Sequence, residues 1–236
     1  MQQPLLNSLN KGVAAILPNV LVEYQAEIWL AIGQTAIMVG FSILAALLVG
    51  LPLGTFLFLC RKGQLLENQF IFSSLNLIVN IIRSFPFLLL VIFMIPFTRL
   101  VMGTAIGTAA ATLPMVVIAI AHYSRLVEQS LLDVPKGVIQ AAVAMGASIK
   151  DIIFKFLYVE ARSALVLSMT TSTISFIAYS TIMGVVGGGG IGDFAIRYGY
   201  LQFRTDLMIY IIIIMIIFVQ LIQYTGITLA RKIDKR

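Results

Sequence analysis

The sequence predicts an all-α integral membrane protein with five transmembrane helices, its N-terminus outside and its C-terminus cytoplasmic. Three observations carry that expectation: an apolar composition, five long stretches almost free of charge, and a one-sided distribution of basic residues. Of the 236 residues, 60% are hydrophobic and 11% are charged, whereas a soluble domain carries about 25% charged residues. No soluble fold of this length hides that much apolar surface, so lipid is the solvent for much of it.

A membrane helix needs about 20 mainly apolar residues. Cutting the chain at its charges gives spans at approximately 28–60, 68–98, 100–124, 163–186 and 207–230. Residues 1–27 precede them as an external segment, residues 125–162 form one long connection, and 231–236 form a cytoplasmic tail. The first 27 residues lack a compact apolar core followed by an A-x-A site, so no cleavable signal peptide is expected.

Basic residues set the orientation. With five spans, one side receives Arg61, Lys62, Arg125, Lys136, Lys150, Lys155, Arg162, Arg231, Lys232, Lys235 and Arg236. The other receives Lys11, Arg99, Arg197 and Arg204. The richer side is cytoplasmic and holds the 125–162 connection. This asymmetry also accounts for the net charge of +6, and no basic stripe with interleaved aromatics points to nucleic acid.

The spans differ in character. The last, IYIIIIMIIFVQLI, is bulky and suits a lipid-facing helix. The fourth carries the hydroxyl run SMTTSTIS. At 3.6 residues per turn, Ser168, Thr171, Ser172 and Ser175 share one side. These hydroxyls serve either close helix packing or a polar route for a solute. Arg83, alone in the second span, reads either as a functional cation facing protein or water, or as a side chain snorkelling from a helix end. Pro86, three residues on, removes a backbone donor and kinks or breaks that span.

Several motifs exclude activities. Gly187, Gly189 and Gly192 fit G-x-G-x-x-G, but the run follows a membrane span rather than a strand, so no dinucleotide site is expected. The glycines from Gly187 to Gly190 instead read as a candidate gate or a close-packed outer mouth, where residues without Cβ are needed. There is no G-x-x-x-x-G-K-[ST] loop for ATP hydrolysis. His122 is the sole histidine and Cys60 the sole cysteine, and neither has a ligand set beside it. No enzyme activity and no metal site are expected.

The 125–162 connection is the most informative segment. Asp133-Val134-Pro135 signals a helix start, and Gly146 suits the left-handed conformation just past a helix end. Ser148 with Asp151 resembles a capping pair for the next helix. Ala141, Ala142 and Met145 give the short helix an apolar face that wants a partner groove or its own protein.

The run Q-A-A-V-A-M-G-A-S at 140–148 resembles the E-A-A-x-x-x-G motif of ABC importer permeases. Together with NIIRSFPF at 80–87, IPFTRLVMGTAIG at 95–107 and RYGY at 197–200, it makes nearly the whole chain from about residue 28 similar to the methionine branch of that family. The resemblance implies that 28–230 is a type I importer transmembrane domain. Its coupling helix (Gln140, Ala141, Ala142, Met145, Gly146) would dock on a separate ATPase subunit. It further implies a permease homodimer, two ATPase copies holding the ATP and Mg, and an external solute-binding lipoprotein. The setting would be the inner or plasma membrane of a prokaryote, and the cargo L- and D-methionine. No cofactor is expected in this chain. Two departures stand out: Gln140 replaces the motif's usual glutamate, and Val159 its later proline. The residues alone leave open another amino acid or small organic ion as cargo, and a passive channel or a scaffold.

Overall fold

Ser84-Phe85-Pro86 divides the second apolar stretch into two helices. Proline lacks the N–H that a helix would use, and it holds the residue before it out of the helical region. Phe85 accordingly takes φ −68°, ψ 129°, and the helices on either side meet at 107°. The computed structural model describes residues 22–234. Residues 1–21, with Lys11 and most of the expected external segment, and Lys235 and Arg236 of the tail lie outside the described residues.

Among the described residues all regular structure is helical: α1 (Gln25–Cys60), α2 (Gln69–Ser84), α3 (Phe87–Met102), α4 (Thr108–Leu132), α5 (Lys136–Ala144), α6 (Ile149–Val185), α7 (Gly190–Tyr200) and α8 (Thr205–Ile233). Three of these, α1, α4 and α8, are long and apolar enough to cross a membrane. The bent pairs α2–α3 and α6–α7 pass the same test together, the second with a 44° bend, which allows up to five crossings.

Two boundaries differ from those expected at the charges. The third helix starts at Thr108 rather than near residue 100, because Gly103 (φ 74°) ends α3 and Gly107 (φ 98°) opens α4. It then continues to Leu132, so Arg125 and Glu128 lie inside it. The fourth helix starts at Ile149, where the Ser148 hydroxyl accepts from the Asp151 N–H at 3.2 Å. Much of the expected loop is therefore helix, and only α5 with its two turns lies between α4 and α6. Asp133 does not cap α5: it closes α4, and Pro135 precedes α5 without a side-chain cap. A helix that ends on charged residues needs no apolar residue there, so cutting at charges misplaced these ends.

α4 is the central helix, packed against α1, α2, α3 and α6. Over its most apolar window 56% of residues are buried, against 11% for α8. Small residues permit that centrality. Gly50 and Gly54, one turn apart on α1, lie against Ile120, Ser124 and Val127 of α4, where added Cβ atoms would collide. A wide turn at Ala46–Gly50 precedes Pro52 and absorbs its missing hydrogen bond. Met38, Phe58, Met115, Leu131, Phe176 and Met183 fill the seam between α1, α4 and α6. Inside a bilayer such contacts stabilise by close packing rather than by escape from water.

Candidate functional site

Glu128 is 1% exposed, a burial that a carboxylate tolerates only when paired. Arg125, one turn earlier on α4, forms an ion pair with it, and Arg61 at the end of α1 approaches from the other side at 3.4 Å. The Arg125 guanidinium also donates to Asn76 and, at 2.7 Å, to Asn80, both on α2. Three helices are thus joined by one charged network. The sequence reading missed it because it placed Arg125 in a loop. The signal was there: Glu128 is the sole acid of α4 and follows an arginine by three residues.

Arg83 lies one turn beyond Asn80, exposed at the end of α2. It makes no hydrogen bond or ion pair among the described residues. Arg125, Tyr179 and His122 share its electrostatic neighbourhood, and none of these carries a carboxylate. His122 on α4 and Phe176 on α6 meet edge to face, and the buried His122 Nε2 has no hydrogen-bond partner among the described residues. Tyr179 stacks on Phe87, the first residue of α3, at 4.5 Å between centroids. The bend between α2 and α3 therefore converges with the middle of α4 and α6 around an uncompensated cation.

The α6 hydroxyls divide. Ser168 pairs with Ser130 of α4 at 2.9 Å, and Ser172 is fully buried, donating to the Ser168 carbonyl at 2.8 Å. Thr171 is exposed, and half-buried Ser175 donates to its carbonyl at 3.1 Å. Helical spacing put all four on one side, but that side is wide enough to have a packed edge and an open one.

At the other end of α6, the glycine run is held as shaped backbone. Gly187, Gly189 and Gly190 have φ of 84°, 76° and 86°. Gly190 donates its N–H to Gln34 Oε1 at 2.7 Å, Ile191 to Thr35 Oγ1 at 3.0 Å, and Gly107 to the Gly187 carbonyl at 2.9 Å. A Cβ on Gly190 would stand 2.8 Å from Thr35 Oγ1. The run is a junction between α1, α4 and α7, bound to no strand.

The short helix α5 turns Val138, Ile139 and fully buried Ala142 onto the core. Gln140, Ala141 and Met145 face outward, Met145 at 68% exposure. The expected apolar face is therefore split, with Ala142 serving the chain's own core. Gly146 has φ 76°. Just beyond, hydrogen bonds first from Lys155, at 2.6 Å, and then from Ser148 hold the Asp151 carboxyl below the usual carboxylate range.

No protein-family model matches the chain. Curated relatives do. The probable D-methionine transport system permease protein MetI of Vibrio cholerae is 42% identical over 203 residues, covering 86% of this chain and 90% of that protein. The methionine import system permease protein MetP of Bacillus subtilis is 40% identical over 180 residues, covering 76% and 81%. Among solved structures, an inward-facing MetNI methionine ABC transporter superposes with a TM-score of 0.86 at 35% identity, over 93% of this chain and all of that one.

Proposed function

The chain belongs to the permease family of methionine ABC importers, and we propose that it carries methionine across a prokaryotic inner membrane as half of a permease dimer. Two cytoplasmic ATPase subunits would bind ATP and Mg, and an external binding protein would deliver the cargo. In this reading the two bent pairs each count as one span, the N-terminus is outside, and α5 is cytoplasmic. The observation that carries it is α5: a short helix fixed to the core through Ala142 while Gln140, Ala141 and Met145 stay uncovered. A passive channel has no use for such a helix. Gln140 would contact the ATPase through a neutral hydrogen bond where the motif has a charge, and Val159, exposed on α6, stands where the motif has proline.

ATP-driven closure of the ATPase pair would move both α5 helices and rock the spans between inward- and outward-open states. Thr171 and Ser175 would give the route its hydroxyls, while Ser168 ties α6 to Ser130 of α4 and Ser172 stays buried in the packing. Arg83 is exposed and has no carboxylate partner among the described residues, and a methionine carboxylate would supply that anion. Gly187 and Gly190 shape the outer junction.

The test is uptake of labelled methionine by vesicles holding the full complex, with other amino acids as competitors. Competition by unrelated amino acids as strong as that by methionine would reassign the cargo. Labelling of single cysteines at positions 62 and 150, on a Cys60-free background, checks the orientation: reaction at 150 from outside intact cells would reverse it.

A further inference from the structure

Beside the crossing of α6 and α8, where Thr170 presses on Gly226, lies a groove of about 520 Å³. Its walls are apolar side chains of α1, α6 and α8, among them Leu47, Val166, Ile222 and Leu229. Arg162 also lines it, half-buried, and no acceptor among the described residues pairs with its guanidinium. A partly desolvated cation without a counter-charge is costly, so the site calls for an anion. The last turn of α8 adds exposed Arg231 and Lys232 beyond Leu229. An apolar trough ending in a free arginine, with more basic residues at the same end, matches one chemistry: a hydrocarbon chain joined to a phosphate.

We propose that this groove binds an anionic phospholipid of the cytoplasmic leaflet, with an acyl chain along Val166, Ile222 and Leu229 and its phosphate on Arg162. The choice of leaflet rests on the orientation given above. Anionic lipid on that face attracts basic groups at a membrane surface, and basic pockets between helices there select acidic headgroups. The bound lipid would seal the seam between α1, α6 and α8 and hold the two helices at their Thr170–Gly226 contact.

The test is native mass spectrometry of the purified permease–ATPase complex titrated with phosphatidylglycerol or phosphatidylcholine. The wild type should prefer phosphatidylglycerol by about fivefold, the contribution of one basic residue near an anionic headgroup. Arg162→Gln should abolish that preference, and Arg162→Lys should keep most of it. Leu229→Trp, which fills the groove from an exposed position, should reduce retention of both lipids. Equal retention of the two lipids by the wild type, or an unchanged preference in Arg162→Gln, overturns the site. So does loss of the ATPase from Arg162→Gln with lipid preference intact, which would assign Arg162 to the subunit interface. Methionine uptake is measured on the same preparations. A transporting complex without lipid preference overturns the lipid site alone. A lipid-selective complex that carries no methionine overturns the cargo and leaves the site standing.

Discussion

The two ends of the α4–α6 core are held together by opposite means. At the Glu128 end, four polar side chains from α2 and α4 and one from α1 meet in a charged network, and the backbone has no part in it. At the Gly190 end, the glycine backbone itself donates and accepts, and the side chains it meets, Gln34 and Thr35, are neutral. The difference teaches where each junction is vulnerable. A buried ion pair fails when one partner is removed, because the other charge is left unpaired in a poorly polarisable setting. A backbone junction fails when something is added, because no room exists for a Cβ.

Five substitutions break or sharpen this contrast. The largest effect is expected from Glu128→Ala, which leaves the largely desolvated Arg125 with its asparagine acceptors but without a counter-charge, at a cost of about 3–5 kcal/mol. Thermal unfolding of the purified complex should show it as a steep loss of melting temperature and of assembled yield. A melting curve like the wild type's would mean that Arg125 finds water instead.

Gly190→Ala should come next, since a Cβ there is both strained by φ 86° and crowded by Thr35 and Met38. A left-handed alanine costs about 1–3 kcal/mol. Thr35→Ala by itself removes the acceptor of the Ile191 N–H, so the two changes are compared as a cycle: a smaller cost of Gly190→Ala in the Thr35→Ala chain would show that crowding outweighs strain, and an unchanged cost would show the reverse.

Ser172→Leu lies between the junctions and tests how far packing extends along α6. Overpacking a buried position costs about 1–3 kcal/mol, so the yield of complex should fall. Thr171→Leu, one residue away and exposed, should leave yield intact while reducing uptake per complex. Equal yields for the two variants would remove the distinction between the packed and open edges of the hydroxyl face.

The smallest effect is expected from Arg61→Ala. Arg61 is 44% exposed and 3.4 Å from Glu128, and such pairs contribute less than about 1 kcal/mol. The shift in melting temperature should be small and should shrink further in high salt. A loss as large as that of Glu128→Ala would make Arg61 an equal partner in the network.

Much of the architecture was legible in the residues. Long uncharged stretches, a proline that lacks its N–H, and glycines where a chain must turn left-handed all act locally, and each is visible in a short window. Hence the helical class, the break at Pro86, the left-handed Gly146 and the bulky, little-buried α8 could be read directly. The pair Gly50 and Gly54, four residues apart, went unread, although that spacing signals a close-packing face.

Other features depend on which helices become neighbours, and a single strand of text does not contain that. Charge alone says that Glu128 needs a partner, but not that Arg125 will turn inward and recruit Asn76 and Asn80 from a helix about fifty residues away. Spacing alone places Ser168, Thr171, Ser172 and Ser175 on one side of α6, but only the approach of Ser130 on α4 decides which of them are packed and which are open. The composition of the chain thus determined its solvent and its helices, because burial in lipid and backbone hydrogen bonding act residue by residue. The pairing of buried charges, the split of the hydroxyl face and the groove beside Arg162 were decided by tertiary structure, because each depends on distances between segments far apart in the chain.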